Sequence, residues 1–224
     1  MNRTAAALSA TVVLLGVLAG AAFAITPPSG TPDLAAMTVQ RADLQPGSVT
    51  TVDGYQTPPA GFVAVYERDF RIARTAPGGT LFALETQVQL ASSMAIAQRI
   101  IGLERIEYGS KAGHELIKSA IVRSAGAGSG LKAKDVRFGA VARIAPGRGS
   151  FDERVTLRLG ARTETSEIIE VGHGPVIALL VAVTPGTHVP SSLSHTLAAD
   201  VAHHIAAVLA PSGSTGPSGT TGAG

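Results

Sequence analysis

Two stretches in the first half of the chain alternate apolar and polar side chains with the period of a strand. Phe62, Ala64, Tyr66, Phe70 and Ile72 share one side of a run whose other side carries Val63, Val65, Glu67, Asp69 and Arg71. After Pro77-Gly78-Gly79 the pattern returns in Phe82, Leu84, Thr86, Val88 and Leu90, which predicts an antiparallel hairpin. A weaker strand over Ser48 to Tyr55 precedes it, entered through the turn Asp43-Leu44-Gln45-Pro46-Gly47. The period then lengthens to that of a helix. Ile96, Ala97, Ile100, Ile101 and Leu103 follow a capping Ser92 or Ser93, and Leu116, Ile117, Ala120 and Ile121 repeat the spacing within residues 114–124. Gly126, Gly128 and Gly130 are expected to end that second helix.

Four further strands are predicted, over about Lys134 to Ile144, Asp152 to Leu159, Thr163 to Val171 and Val176 to Thr184. The last is apolar from Val176 to Val183, so it should lie centrally with both faces covered. A final helix opens at Pro190-Ser191 and carries Leu193, Leu197, Val201, Ile205, Val208 and Leu209 on one stripe. The fold class that follows is α+β: a mainly antiparallel sheet of about six to seven strands packed with helices. The C-terminal helix should cover one face and the helices of residues 92–124 the other.

The ends carry different information. Arg3 stands before an uncharged apolar stretch from Thr4 to Ala24, closed by Ala22-Phe23-Ala24 and followed by Pro27-Pro28. This is the layout of an export signal cleaved after Ala24, and the stretch is also long enough to serve as an uncleaved signal anchor. Both readings leave Arg3 inside and the rest of the chain outside the cytoplasm, secreted or tethered. Residues 25–33 read as a proline-rich linker, extended and solvated, and residues 34–210 as a single domain. Pro211 to Gly224 contain only Pro, Ser, Gly, Thr and Ala, a composition with nothing to bury and an expected disordered tail.

Composition narrows the chemistry. The chain has no cysteine, which excludes disulfides, iron-sulfur clusters, thiolate zinc sites and a lipid anchor on cysteine. Without residues 1–24 there are 17 basic and 16 acidic side chains, so no overall field attracts nucleic acid or anionic lipid. Membrane contact is expected only through the N-terminal segment. His195, His203 and His204 lie on the last helix at spacings that place no two ligands on one face, and Lys118 stands where a zincin helix that begins His114-Glu115 needs its second histidine. The glycine strings at 126–130, 147–149 and 172–174 lack the Lys-Ser/Thr pair of a phosphate loop. No serine has the glycine flanks of a nucleophile elbow. No cofactor, metal or catalytic residue is expected from these patterns, nor a Ser-His-acid or paired-carboxylate cluster in a cleft. One residue breaks its pattern: Arg68 falls on the apolar side of its strand between Tyr66 and Phe70, where a charge needs a partner. Glu85 is a candidate partner. The alternative is an anion-holding guanidinium beside Tyr66, with Arg158 as a companion.

Several segments together resemble a known group. Asp43-Leu44-Gln45-Pro46-Gly47 is similar to an Asp-Leu-Pro-x-Gly opening, Tyr66-Glu67-Arg68-Asp69-Phe70 to a Tyr-x-Arg-x-Phe strand, Leu84 to Leu90 to a hairpin-to-helix junction, and Leu197 to Val201 to a final helix. These resemble the exported sensor-type and lipoprotein domains of mycobacteria and relatives, whose α/β sandwich is like that of PsbP and Mog1. The chain departs from that group in lacking its cysteines and in having Arg137-Phe138-Gly139-Ala140 where a Gly-Asp-Glu-Ala turn is expected. The resemblance implies a binding or accessory role toward a small ligand or an envelope protein, with no catalytic residues. A hydrolase with an unrecognised site, or a plain structural spacer, are the alternatives.

Overall fold

The computed structural model describes residues 25–44, 46–72, 83–125, 130–143, 150–159, 162–186 and 191–210. The apolar segment 4–24, the tail 211–224 and the glycines at 126 and 128 lie outside the described residues. Eight strands form one antiparallel sheet: β1 (Ser48–Gln56), β2 (Phe62–Ile72), β3 (Ala83–Ala91), β4 (Val136–Phe138), β5 (Ala142–Arg143), β6 (Phe151–Leu159), β7 (Arg162–His173) and β8 (Val176–Pro185). Their order is β1-β2-β3-β8-β7-β6-β4, with β5 pairing beside β4 on β6. Two meanders are therefore zipped together by the pairing of β3 with β8, whose register runs from Ala83 opposite Val183 to Leu90 opposite Val176. Among the described residues four helices accompany the sheet: α1 (Leu34–Met37), α2 (Met94–Tyr108), α3 (Lys111–Ala125) and α4 (Ser191–Leu209).

β8 sits at the middle of this order, as its composition predicts. Every residue from Val176 to Ala182 is buried, none more than 6% exposed. The valine, isoleucine and leucine side chains among them each contribute roughly 1.5–3 kcal/mol when withdrawn from water, and alternate residues need cover on opposite faces. On one face Ala178, Leu180 and Ala182 join Phe70, Leu84, Val88 and Ile169 under α1 and α4, which supply Leu34, Met37, Leu197, Val201 and Ile205. On the other, Leu179 and Val181 meet Tyr108, Ile117 and Ile121, while Ile177 meets Ala97 and Ile101, all from α2 and α3. All three core clusters draw on residues from Leu34 onward, so a chain beginning at Ile25 contains the entire core.

Four expectations change. The strand expected over Lys134 to Ile144 is broken into a short 3-10 turn (Ala133–Asp135), β4 and β5; Gly139, just past β4, still donates its N–H to the Arg154 carbonyl of β6 at 2.7 Å and lies close against Arg154. A register shift between Phe62 and Ala64 turns Phe62 to the opposite face, where it packs with Ile96 and Ile100. Leu103 and Leu116, expected on buried stripes, are 50% and 58% exposed. The linker at residues 25–33 does not stay free of the domain: Ile25 and Pro27 are half-buried, and Asp33 caps α1 by accepting from Ala36 N at 3.2 Å.

The α2–α3 junction is tight. Ser110 Oγ accepts from Gly113 N at 3.0 Å, capping α3, and brings Gly113 against the last turn of α2, where any Cβ would run into the Glu107 carbonyl. Gly113→Ala should therefore cost about 1–3 kcal/mol and lower the thermal midpoint by about 3–10 °C. An unchanged midpoint would show that the two helices can part without loss.

Candidate functional site

β2 presents opposite chemistry on its two faces. On the α1 side, register places Asp53 and Thr86 directly across from Arg68, and Tyr55 and Val88 across from Tyr66. The partner of Arg68 is Asp53, not Glu85, which lies opposite Asp69 and hence on the other face. Arg68 Nε donates to Asp53 Oδ1 at 2.8 Å, and Nη1 reaches Gln40 Oε1 at 2.9 Å, Thr38 Oγ1 at 3.0 Å and the Ala35 carbonyl at 3.3 Å. Nη2 has only a long contact to the Tyr66 hydroxyl, 3.4 Å. The guanidinium also lies over the Tyr66 ring, 5.5 Å from its centroid.

Tyr66 donates a short hydrogen bond to Asp53. Burial alone would raise Asp53, but the bonds from Tyr66 and Arg68 and the charge of Arg68 outweigh it and hold the carboxyl below its ordinary range. Tyr66 is pushed up to about 12, mainly by burial and then by its bond to Asp53. Thr38 is the hub that α1 hangs on. It is fully buried, and its carbonyl lies 3.0 Å from His204 Nδ1 of α4 and accepts from Gln40 Nε2 at 2.7 Å. An anion at Arg68 would have to displace Asp53 and the backbone of α1. Arg158 does not join it: exposed on β6, it stands four strands across and six residues along, roughly 25–30 Å away by strand spacing.

The other face of β2 holds carboxyls. Asp69 and Glu85 sit opposite one another, with Glu67 opposite Gln87 one pleat along. Asp69 is 7% and Glu85 8% exposed, and Asp69 Oδ1 has no hydrogen-bond partner. Burial first, then the neighbouring negative charges, push Asp69 up to about 7 and Glu85 to about 9. Further along the same row Glu170 is 1% exposed, and neither of its oxygens meets a donor. Burial first, then the charge of Glu104 from α2, raise it well above the carboxylate range, and burial raises Glu104 too. Carboxyls thus do converge, but against the sheet and away from the described cavity. The sequence showed Glu67 and Asp69 on one side of a strand; it did not show that Glu85 would meet them there.

That cavity, of about 210 Å³, lies at the end of β1 and β2. Ile25, Pro27, Pro28, Pro58, Val63 and Ala64 give it an apolar wall, and Thr26, Tyr55 and Gln56 its polar groups. The Tyr55 ring stands edge-on to Tyr66 at 4.9 Å, so the cavity abuts the clamp without including Arg68. Sequence reasoning missed Tyr55 because only the folding back of residues 25–28 makes a wall opposite it. Among the described residues no three His, Asp or Glu side chains could hold a metal ion, and no helix is long and apolar enough to cross a membrane.

The arrangement defines an α+β fold with a cavity at one end of its sheet, lined by no serine, histidine or carboxyl side chain. No family model matches the sequence, and no curated protein matches it. Among solved structures, the crystal structure of the extracellular domain of PknH from Mycobacterium tuberculosis is similar in fold, with a TM-score of 0.53 at 9% identity. The match covers 76% of this chain and 93% of that one.

Two outcomes follow from the two faces. Arg68→Ala should cost about 2–4 kcal/mol, since it unties α1 from the sheet, and Arg68→Lys should recover little, one ammonium being unable to span Asp53 and Thr38; urea unfolding measures both. Asp69 and Glu85 bind protons more tightly folded than unfolded, so their stabilisation is whole below about pH 4 and is lost as pH rises through about 7 and about 9. The thermal midpoint should fall from pH 5 to pH 9, and Glu85→Gln should flatten that fall, exceeding the wild type by on the order of 5 °C at pH 9. A parallel pH profile in the variant would remove Glu85 from the account.

Proposed function

We propose that this chain is an exported, non-enzymatic binding domain of the cell envelope. Its cavity against β1 and β2 takes a small apolar ligand or a single apolar side chain of a partner protein. The observation that carries the reading is the cavity itself: an apolar wall with one phenol, one amide and one threonine hydroxyl to orient a guest, and no serine, histidine or carboxyl among its lining residues. At about 210 Å³ it is smaller than the roughly 300–1,000 Å³ of sites for larger ligands, which favours a group the size of one side chain. The export-signal layout of residues 1–24 supports a place outside the cytoplasm, and so does the likeness in fold to a domain described as extracellular.

Cyclohexanol is a suitable probe of the cavity. Millimolar cyclohexanol should raise the thermal midpoint of the protein, and Val63→Phe, which fills the cavity from its half-exposed wall, should abolish that rise while folding normally. A rise that persists in Val63→Phe would place the guest elsewhere. Intact-mass measurement of the exported protein should give a chain starting at Ile25; recovery only from the cytoplasm with residues 1–24 attached would defeat the envelope assignment.

A further inference from the structure

The near balance of charges along the chain conceals how the fold sorts them. On α2, Arg99, Leu103 and Ile106 recur at i, i+4 and i+7 and so form one ridge. Its aliphatic members are 50% and 67% exposed, and Met94 at the start of the helix is 56% exposed. On α3, Leu116 is 58% exposed and Arg123 follows it at i+7. Both helices turn their buried sides to the same sheet face, through Ala97, Ile101, Ile117 and Ile121, so both ridges look outward together.

The charges of this layer are one-sided at its surface. Arg99, Lys111 and Arg123 are exposed and Arg105 is half-buried, and none forms an ion pair with a described residue. The acids are occupied otherwise. Glu104 is turned to Glu170, Glu107 is half-buried, and the exposed Glu115 is paired with Lys118 at 2.9 Å and also feels the charge of Lys111. Exposed aliphatics beside cations that outnumber the one exposed carboxylate match the apolar and anionic layers of a phospholipid surface. A soluble monomer has little use for such a surface.

We infer that the outer face of α2 and α3 docks on an anionic lipid bilayer, with Leu103, Ile106 and Leu116 entering the headgroup region and Arg99, Lys111 and Arg123 meeting acidic headgroups. Charge complementarity selects lipid of that sign. Residues 1–24, where they stay attached, would add a second point of contact with the same membrane. A cleaved chain would depend on the face alone.

The test uses the chain from Ile25 to Gly224, which holds the whole core. It should co-sediment with vesicles of phosphatidylcholine mixed with phosphatidylglycerol, and at least about tenfold less with pure phosphatidylcholine or at high salt. Leu103→Ser with Ile106→Ser, and separately Arg99→Glu, should each lower the partition about tenfold or more while the thermal midpoint stays within about 2 °C, these side chains being exposed. No partition, equal partition onto neutral vesicles, or indifference to these variants would overturn the proposal. A concentration-dependent dimer that the Leu103/Ile106 variant dissolves would overturn it too, assigning the face to a second copy of the chain.

Discussion

The constraint on which the structure depends is that β8 is apolar on both faces. A strand from Val176 to Ala182 with no solvent side can be stable only as the middle of a sheet with cover above and below. That requirement places one meander on each side of it, joined at the β3–β8 pairing, and fixes two separate helix layers. α4 reaches back to lie over one face together with α1, while the α2–α3 pair fills the other. Gly113, the Ser110 cap and the Thr38 hub serve to let these helices come close enough to do so.

Away from β8 the sheet becomes polar, and β2 shows two ways of holding charge near a core. On one face a cation and an anion neutralise each other: Arg68 and Asp53 remain ionised because each has several hydrogen-bond partners and Asp53 is half open to water. On the other, carboxyls face carboxyls, so burial and mutual repulsion favour the protonated forms of Glu85 and of the Glu104–Glu170 pair. The first device fastens α1 to the sheet. The second lines the α2 side of the sheet with carboxyls whose hold on protons burial strengthens.

Both functional readings lie at the edges of this core. The cavity is made where residues 25–28 fold over the end of β1 and β2, and the lipid-facing ridge is the side of α2 and α3 that the sheet leaves uncovered. Each uses apolar surface that β8 does not need. The chain therefore divides its aliphatic residues between a core that specifies the fold and a smaller set left for contact with something else.

The sequence by itself determined the elements and the class. Period-two alternation marks β2 and β3, the unbroken apolar run marks β8 and its central place, and Leu197, Val201 and Ile205 mark α4, because these signals come from local spacing. It also placed Arg68 on an apolar face, where the structure gives it hydrogen bonds to Asp53, Gln40 and Thr38. Only the tertiary structure decided which partner Arg68 meets, that Phe62 crosses to the other face, that Leu103 and Leu116 point outward, and that burial and neighbouring charges raise the proton affinity of Asp69, Glu85, Glu104 and Glu170. These depend on the strand register and on how far a helix is rotated over the sheet, which are set by the sum of many weak contacts between residues distant in sequence.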